Sequence, residues 1–129
     1  MADKKTVYII DDDQFLVDMY AIKFRESGYD VKTSTRGTAA LEEFEKGESP
    51  DVVLLDIVMP TLDGFQILEE IRKKKLIPDT VIVILSNLGQ QEDIEKGTSF
   101  NIQGYIVKAS CTPSEVVAKV GAIVKKAQK

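Results

Sequence analysis

These 129 residues contain no histidine, no tryptophan and a single cysteine. Without an imidazole they cannot act as a histidine kinase or as a histidine phosphocarrier. One thiol, Cys111, excludes an internal disulfide and suits a reducing compartment, and it reads as a small loop residue. Long apolar runs are also missing. The longest, "VIVIL" at 81–85, is far too short to span a bilayer. In the opening segment "MADKKTVYII" the apolar run ends after four residues, too few for a signal-peptide core. The expectation is a cytoplasmic protein without a membrane segment. An excess of positive charge is lacking as well: 17 basic against 21 acidic residues leave a net charge of −4. That balance argues against a nucleic-acid or anionic-membrane surface, which needs cations to pair with phosphates. The two basic clusters, "RKKK" at 72–75 and "KKAQK" at 125–129, fall where helices should end and complement their dipoles.

What is present is a chain of ordinary domain size, 43% hydrophobic and free of low-complexity tracts, read as one domain over 1–129 with no output domain. Strand-like runs stand at 6–10, 30–35, 51–56, 80–86 and 104–108. Four are nearly continuous and β-branched-rich, as strands buried on both faces should be; the second alternates and reads as an edge. Helical patterns lie between them. Phe15, Met19 and Ile22, with Leu16, Tyr20 and Phe24, mark the first, which Gly28 ends; Ala40, Leu41 and Phe44 mark the second, which Gly47 ends; Phe65, Leu68 and Ile71 mark the third. The last opens with "TPSE", where Thr112 and Glu115 form a capping box around Pro113, and continues with Val116, Val120, Ile123 and Val124. The segment 89–97, "GQQEDIEKG", is polar with one apolar residue, Ile94, and glycine at each end, so any helix there is weakly anchored.

Five β-α units in strict alternation imply an α/β fold, a doubly wound parallel sheet with helices on both faces. Ligands of such sheets bind beyond the carboxyl ends of the strands. Those ends carry Asp11 and Asp12, then Asp56, Ser86 and Lys108. Two carboxylates about 4 Å apart repel by roughly 4 kcal/mol at an effective dielectric of 20, so Asp11, Asp12 and Asp56 need an offset. A hard divalent cation such as Mg²⁺, or Mn²⁺, supplies it. Lys108 and Ser86 add a positive charge and a hydroxyl suited to phosphoryl oxygens, so the site could set a phosphoryl group in line with an Asp carboxylate.

In "IIDDD", "DVVLLDIVMPTLDG", "VIVILS" and "GYIVK", taken in this order and spacing from about residue 6 to 127, the chain resembles the receiver domains of two-component response regulators. The resemblance implies a flavodoxin-like (βα)5 fold of strand order 2-1-3-4-5. It implies Asp56 as the phospho-acceptor, fed by a histidine kinase or histidine phosphotransfer protein, and Asp12 as principal metal ligand. Asp11 binds partly through water and the backbone carbonyl of Val58 completes the set. Ser86 is implied as the switch hydroxyl, Lys108 as the phosphate contact and Tyr105 as the aromatic that follows the switch. Gly64, in the loop after the acceptor, is expected to supply a backbone conformation that other residues resist. A stand-alone receiver, monomeric or a weak dimer, would dock a protein partner through the face made by 89–97, the fifth strand and the last helix.

Two departures stand out. Ala109 follows Lys108 where the family has proline, which leaves that peptide bond cis or trans, and Asn87 follows Ser86 where a small residue is usual. The resemblance implies that the residues two beyond Asp56 and Ser86 flank the phosphoryl group; here they are Val58 and Leu88, which cannot orient a water through their side chains, so a long-lived phosphoryl group is expected. Plainer roles remain open: Asp13 as a solvated residue entering the first helix, Ser86 or Asn87 as a helix cap, Tyr105 as a core aromatic. Among other functions, a haloacid dehalogenase-type phosphohydrolase would use Asp11 with Asp13, and a pseudo-receiver would bind partners on the same fold without phosphoryl chemistry.

Overall fold

A computed structural model describes residues 4–127; residues 1–3 of the opening segment, and Gln128 and Lys129 of the second basic cluster, lie outside these. The elements run β1 Thr6–Ile10, α1 Gln14–Glu26, β2 Asp30–Ser34, α2 Gly37–Glu45, β3 Val52–Leu55, α3 Gly64–Lys73, β4 Val81–Ser86, α4 Gln91–Thr98, β5 Gly104–Val107 and α5 Pro113–Ala127. The strands form one parallel sheet in the order β2-β1-β3-β4-β5, the expected doubly wound arrangement. Because successive strand side chains point to opposite faces, each apolar run feeds two cores. Tyr8 and Ile10 of β1 join the layer under α2 and α3, while Val7 and Ile9 join the layer under α1 and α5. Among the described residues no helix is long and apolar enough to cross a membrane.

Local chemistry sets the helix ends. Thr112 and Glu115 form the expected capping box at α5, with backbone-to-side-chain bonds of 2.8 and 3.2 Å. A second box, Asp63 with Gln66, starts α3. Asp13 is more than a solvated residue: its carboxylate accepts from Leu16 N–H at 3.2 Å and caps α1. Gly28 and Gly47, at φ 93° and 107°, follow the ends of α1 and α2 as expected.

Three expectations are corrected. On α1 the buried stripe is Val17, Tyr20, Ala21 and Phe24, whereas Phe15 and Ile22 are 71% and 53% exposed. Val17, Tyr20, Ala21 and Phe24 pack on the sheet together with Val7, Ile9 and Leu54, and that docking leaves Phe15 and Ile22 facing outward. β5 is the other sheet edge, so only Ile106 among its four residues is buried. Gly64 is needed for space: its φ is not positive, yet a Cβ there would collide with the carbonyl oxygen of Asp56 and lie 2.8 Å from Ile57 Cα. Thr61, at φ 70°, carries the left-handed residue of that loop.

Gly64→Ala should therefore lower stability by about 1 to 3 kcal/mol, the usual cost of forcing a methyl into filled space, measured by urea unfolding with an unchanged m-value.

Candidate functional site

The strand register brings the rim together. Ile10 pairs with Leu55, Leu55 with Ile84, and Ser86 with Val107. The residues that follow or close these strands, Asp11, Asp56, Ser86 and Lys108, consequently meet at one edge of the sheet. The amide of Asp56 donates to the Ile10 carbonyl at 2.9 Å, and the Asp11 amide to the Ser34 carbonyl at 3.1 Å, so backbone bonds fix both acidic residues. Asp11 and Asp56 are buried and Asp12 is exposed.

Lys108 answers the repulsion anticipated from the sequence. Its side chain is 10% exposed, and its Nζ lies 2.7 Å from Asp11 Oδ2 and 3.4 Å from Asp56 Oδ2. Burial pulls the Lys108 ammonium down, but its hydrogen bond to Asp11 and the charges of Asp56 and Asp11 outweigh that, so it stays protonated. For Asp56, burial is the largest influence and the Asp11 charge the next. Together they exceed the pull of Lys108 and raise the carboxyl from 3.8 to about 6. Asp11 is further held by the Asp13 amide, which donates to its Oδ1 at 3.0 Å.

One carboxylate oxygen each from Asp11, Asp12 and Asp56 falls within 4.8 Å of the others. Three oxygen donors at that spacing, one of them open to solvent, fit a hard divalent cation of the Mg²⁺ class that keeps several waters. Val58, whose backbone carbonyl was the fourth expected ligand, is 59% exposed in the loop after Asp56.

Ser86 is fully buried and its Oγ accepts from the Leu88 amide at 3.3 Å. Neither it nor Asn87 caps α4, whose N-cap is Gln90. Tyr105 packs half-buried against the α2–α3 core, and its hydroxyl donates to the Leu88 carbonyl. The Lys108–Ala109 bond is trans, and residues 108–110 form a 3-10 turn. The carboxylate oxygens that come together are those of Asp11, Asp12 and Asp56, whereas Asp13 Oδ1 accepts from the Leu16 amide at the start of α1. Two features went unread in the sequence. Phe15, in the first turn of α1, and Val58, in the loop after Asp56, are both exposed, the first hidden because helical spacing alone does not fix a helix's rotation. Arg72, placed in a cluster read as dipole-complementing, donates to the carbonyls of Phe100 and Asn101.

The model of the response regulator receiver domain matches residues 7–121. The chain belongs to the response regulator receiver domains. Receiver domains are signalling modules of two-component systems that interact with histidine kinases and downstream effectors. This receiver is 36% identical over 126 residues to the probable transcriptional regulator ycf27 of Guillardia theta, a stretch covering 98% of the chain and 48% of that protein. It is 32% identical over 124 residues to the alkaline phosphatase synthesis transcriptional regulatory protein PhoP of Bacillus subtilis, covering 96% and 50%. The receiver thus spans about half the length of these curated relatives. Among solved structures it is similar to the receiver domain of the Francisella response regulator 1452, with 29% identity, a TM-score of 0.83 and coverage of 95% and 98% of the two chains. The chemotaxis response regulator CheY4 of Vibrio cholerae shares the fold, at 23% identity and a TM-score of 0.84, with coverage of 94% and 99%.

The raised Asp56 carboxyl has a consequence for stability. With a folded value of about 6 against 3.8, the folded state holds the extra proton between those values, so this group's contribution to stability falls as pH rises through that window. In metal-free buffer Asp56→Asn should stabilise the receiver by on the order of 1 to 3 kcal/mol at pH 7, and the gain should fade toward pH 4, as read from urea unfolding at the two pH values.

Proposed function

We propose that this receiver accepts a phosphoryl group on Asp56 from the phosphohistidine of a sensor kinase or phosphotransfer protein, and that the modified receiver acts through its α4, β5 and α5 face on a protein partner. The observation that carries the proposal is the convergence of Lys108 on Asp11 and Asp56 at the strand ends, at 2.7 and 3.4 Å. In the transfer, a carboxylate oxygen of Asp56 attacks phosphorus in line while the P–N bond to the donor imidazole breaks, giving an acyl phosphate. Lys108 is already poised at Asp56 and turns to a phosphoryl oxygen. The Ser86 hydroxyl, now accepting from Leu88, donates to another. Asp11, Asp12, Asp56 and the Val58 carbonyl would hold Mg²⁺, which would supply positive charge to offset that of the transferring group.

The donor must bring its phosphohistidine to this rim, so its docking ground includes the exposed Phe15, in the first turn of α1 after Asp11 and Asp12, and the exposed Val58, two residues after Asp56. On the output side, the new charge at Asp56 engages Ser86, whose Oγ is bonded to the Leu88 amide, and Leu88 in turn holds the Tyr105 hydroxyl. A chain of two hydrogen bonds thus links the acceptor rim to the β5 aromatic. The face is the same for a separate partner or one covalently attached.

Incubation with acetyl phosphate and Mg²⁺ should add the mass of one phosphoryl group to the intact protein. No gain, or a gain that survives in Asp56→Asn, would contradict the proposal. The phosphoryl lifetime tests the same site from its outer side. Neither Val58 nor Leu88 offers a side-chain hydrogen bond to an attacking water, and positioned polar groups contribute roughly 10²- to 10⁴-fold to such steps. The native acyl phosphate should therefore persist well beyond seconds in Mg²⁺ buffer, while Val58→Asn and Leu88→Glu shorten its decay. Loss within seconds, or unchanged decay in both variants, would count against the shielding role.

A further inference from the structure

α4 buries one residue, and that residue is a glycine. A Cβ on Gly97 would lie 2.8 Å from Ile84 Cδ1 and 3.1 and 3.2 Å from Cδ2 and Cε2 of Tyr105, closer than real Cβ atoms normally approach. The helix backbone therefore rests directly on β4 and on the edge of the tyrosine ring. Tyr105 is gripped from two sides, by the hollow at Gly97 and by the Leu88 carbonyl that its hydroxyl bonds.

The two ends of α4 are held unequally. At its start, Gln90 contributes no capping side chain, and a Gln91 to Glu95 side-chain bond of 3.2 Å lies on the exposed face. Beyond its end, Arg72 of α3 donates from Nε to the Phe100 carbonyl at 2.8 Å and from Nη2 to the Asn101 carbonyl at 3.1 Å. The Phe65 and Phe100 rings stack with centroids 6.3 Å apart and an interplanar angle of 20°, and Lys96 Nζ stands 4.5 Å from the Phe65 centroid. The planar guanidinium fork reaches two successive carbonyls from two different nitrogens in one fixed plane, a geometry the single nitrogen of a lysine does not reproduce. The start of α3 packs directly on the end of β3, where Gly64 leaves no room for a Cβ beside the Asp56 carbonyl.

We infer that Arg72 is a positioning residue that clamps the C-terminal end of α4 to α3, so that α4 moves as a lever about Gly97 and its displacement is concentrated in residues 87–93 beside Ser86. The inference deepens the proposed output face and rests on that reading for its trigger, whereas the clamp itself exists before any phosphoryl group arrives.

Amide hydrogen exchange by NMR tests the clamp without a trigger. The amides of Ser99, Phe100 and Asn101 donate to the Glu95, Gly97 and Thr98 carbonyls. In Arg72→Met they should exchange about tenfold faster or more, the loss expected of hydrogen bonds from a charged donor, and Arg72→Lys should recover part of the protection. Amides of α1 and α5 should keep native rates in both variants, which separates loss of the clamp from global unfolding. The lever is then read from beryllofluoride, a phosphoryl mimic, added with Mg²⁺. Shift changes should fall on 87–93 and spare 99–101 in the native protein, then spread to 99–101 in Arg72→Met. In Gly97→Ala the Tyr105 ring resonances should move even without the mimic. Native exchange at 99–101 in Arg72→Met, or changes at 99–101 as large as those at 87–93 in the native protein, would overturn the inference. Absence of a bound-fluoride ¹⁹F signal would instead overturn the reading of the Asp56 site, and the exchange arm would still decide the clamp.

Discussion

One ammonium group, Lys108 Nζ, sits between the carboxylates of Asp11 and Asp56 and makes the rest of the rim tolerable. Two buried carboxylates at the ends of neighbouring strands would otherwise repel in a setting where water screens little. Lys108 reaches them because β5 is in register with β4, and Asp11 and Asp56 are level because β1 is in register with β3. The compensation is partial: Asp56 still carries a raised carboxyl, at about 6, because burial and Asp11 together outweigh the lysine. That residue of strain is what a divalent cation or a phosphoryl group with its own counter-charges can relieve.

The same pocket explains the packing around it. Gly64 brings α3 against the Asp56 carbonyl, and Gly97 brings α4 against Ile84 and Tyr105. Both glycines are spatial requirements in helices, where glycine otherwise weakens the element by roughly 1 kcal/mol relative to alanine. Between them, Arg72 and the Phe65 and Phe100 stack join α3 to the end of α4. β3, α3 and the residues that follow α4 are thus joined by close contacts at Gly64, at Arg72 and at the Phe65–Phe100 stack.

Much of this was legible in the sequence. Continuous β-branched runs reported strands buried on both faces, and the residues closing them, Asp11, Asp56, Ser86 and Lys108, carried a chemistry unusual for such positions. What was not legible depended on phase or on distance in the chain. Phe15 and Ile22 fit the helical spacing as well as Val17 and Ala21 do, and only the docked sheet decides between them. β5 reads as apolar as its neighbours, but being an edge is a property of the whole sheet. The polar segment at 89–97 has no capping side chain at its start, in keeping with its composition, yet Phe100 and Asn101 just beyond its far end accept from Arg72 across 28 and 29 residues of sequence, which no local pattern could disclose.

The most direct test of this electrostatic picture is an NMR titration of the Asp56 carboxyl carbon in metal-free buffer and again with saturating Mg²⁺. The predicted midpoint without metal is about 6, moving downward when the cation binds, as expected when an opposite charge favours the ionised form. A midpoint in the ordinary aspartate range that is the same with and without Mg²⁺ would contradict it.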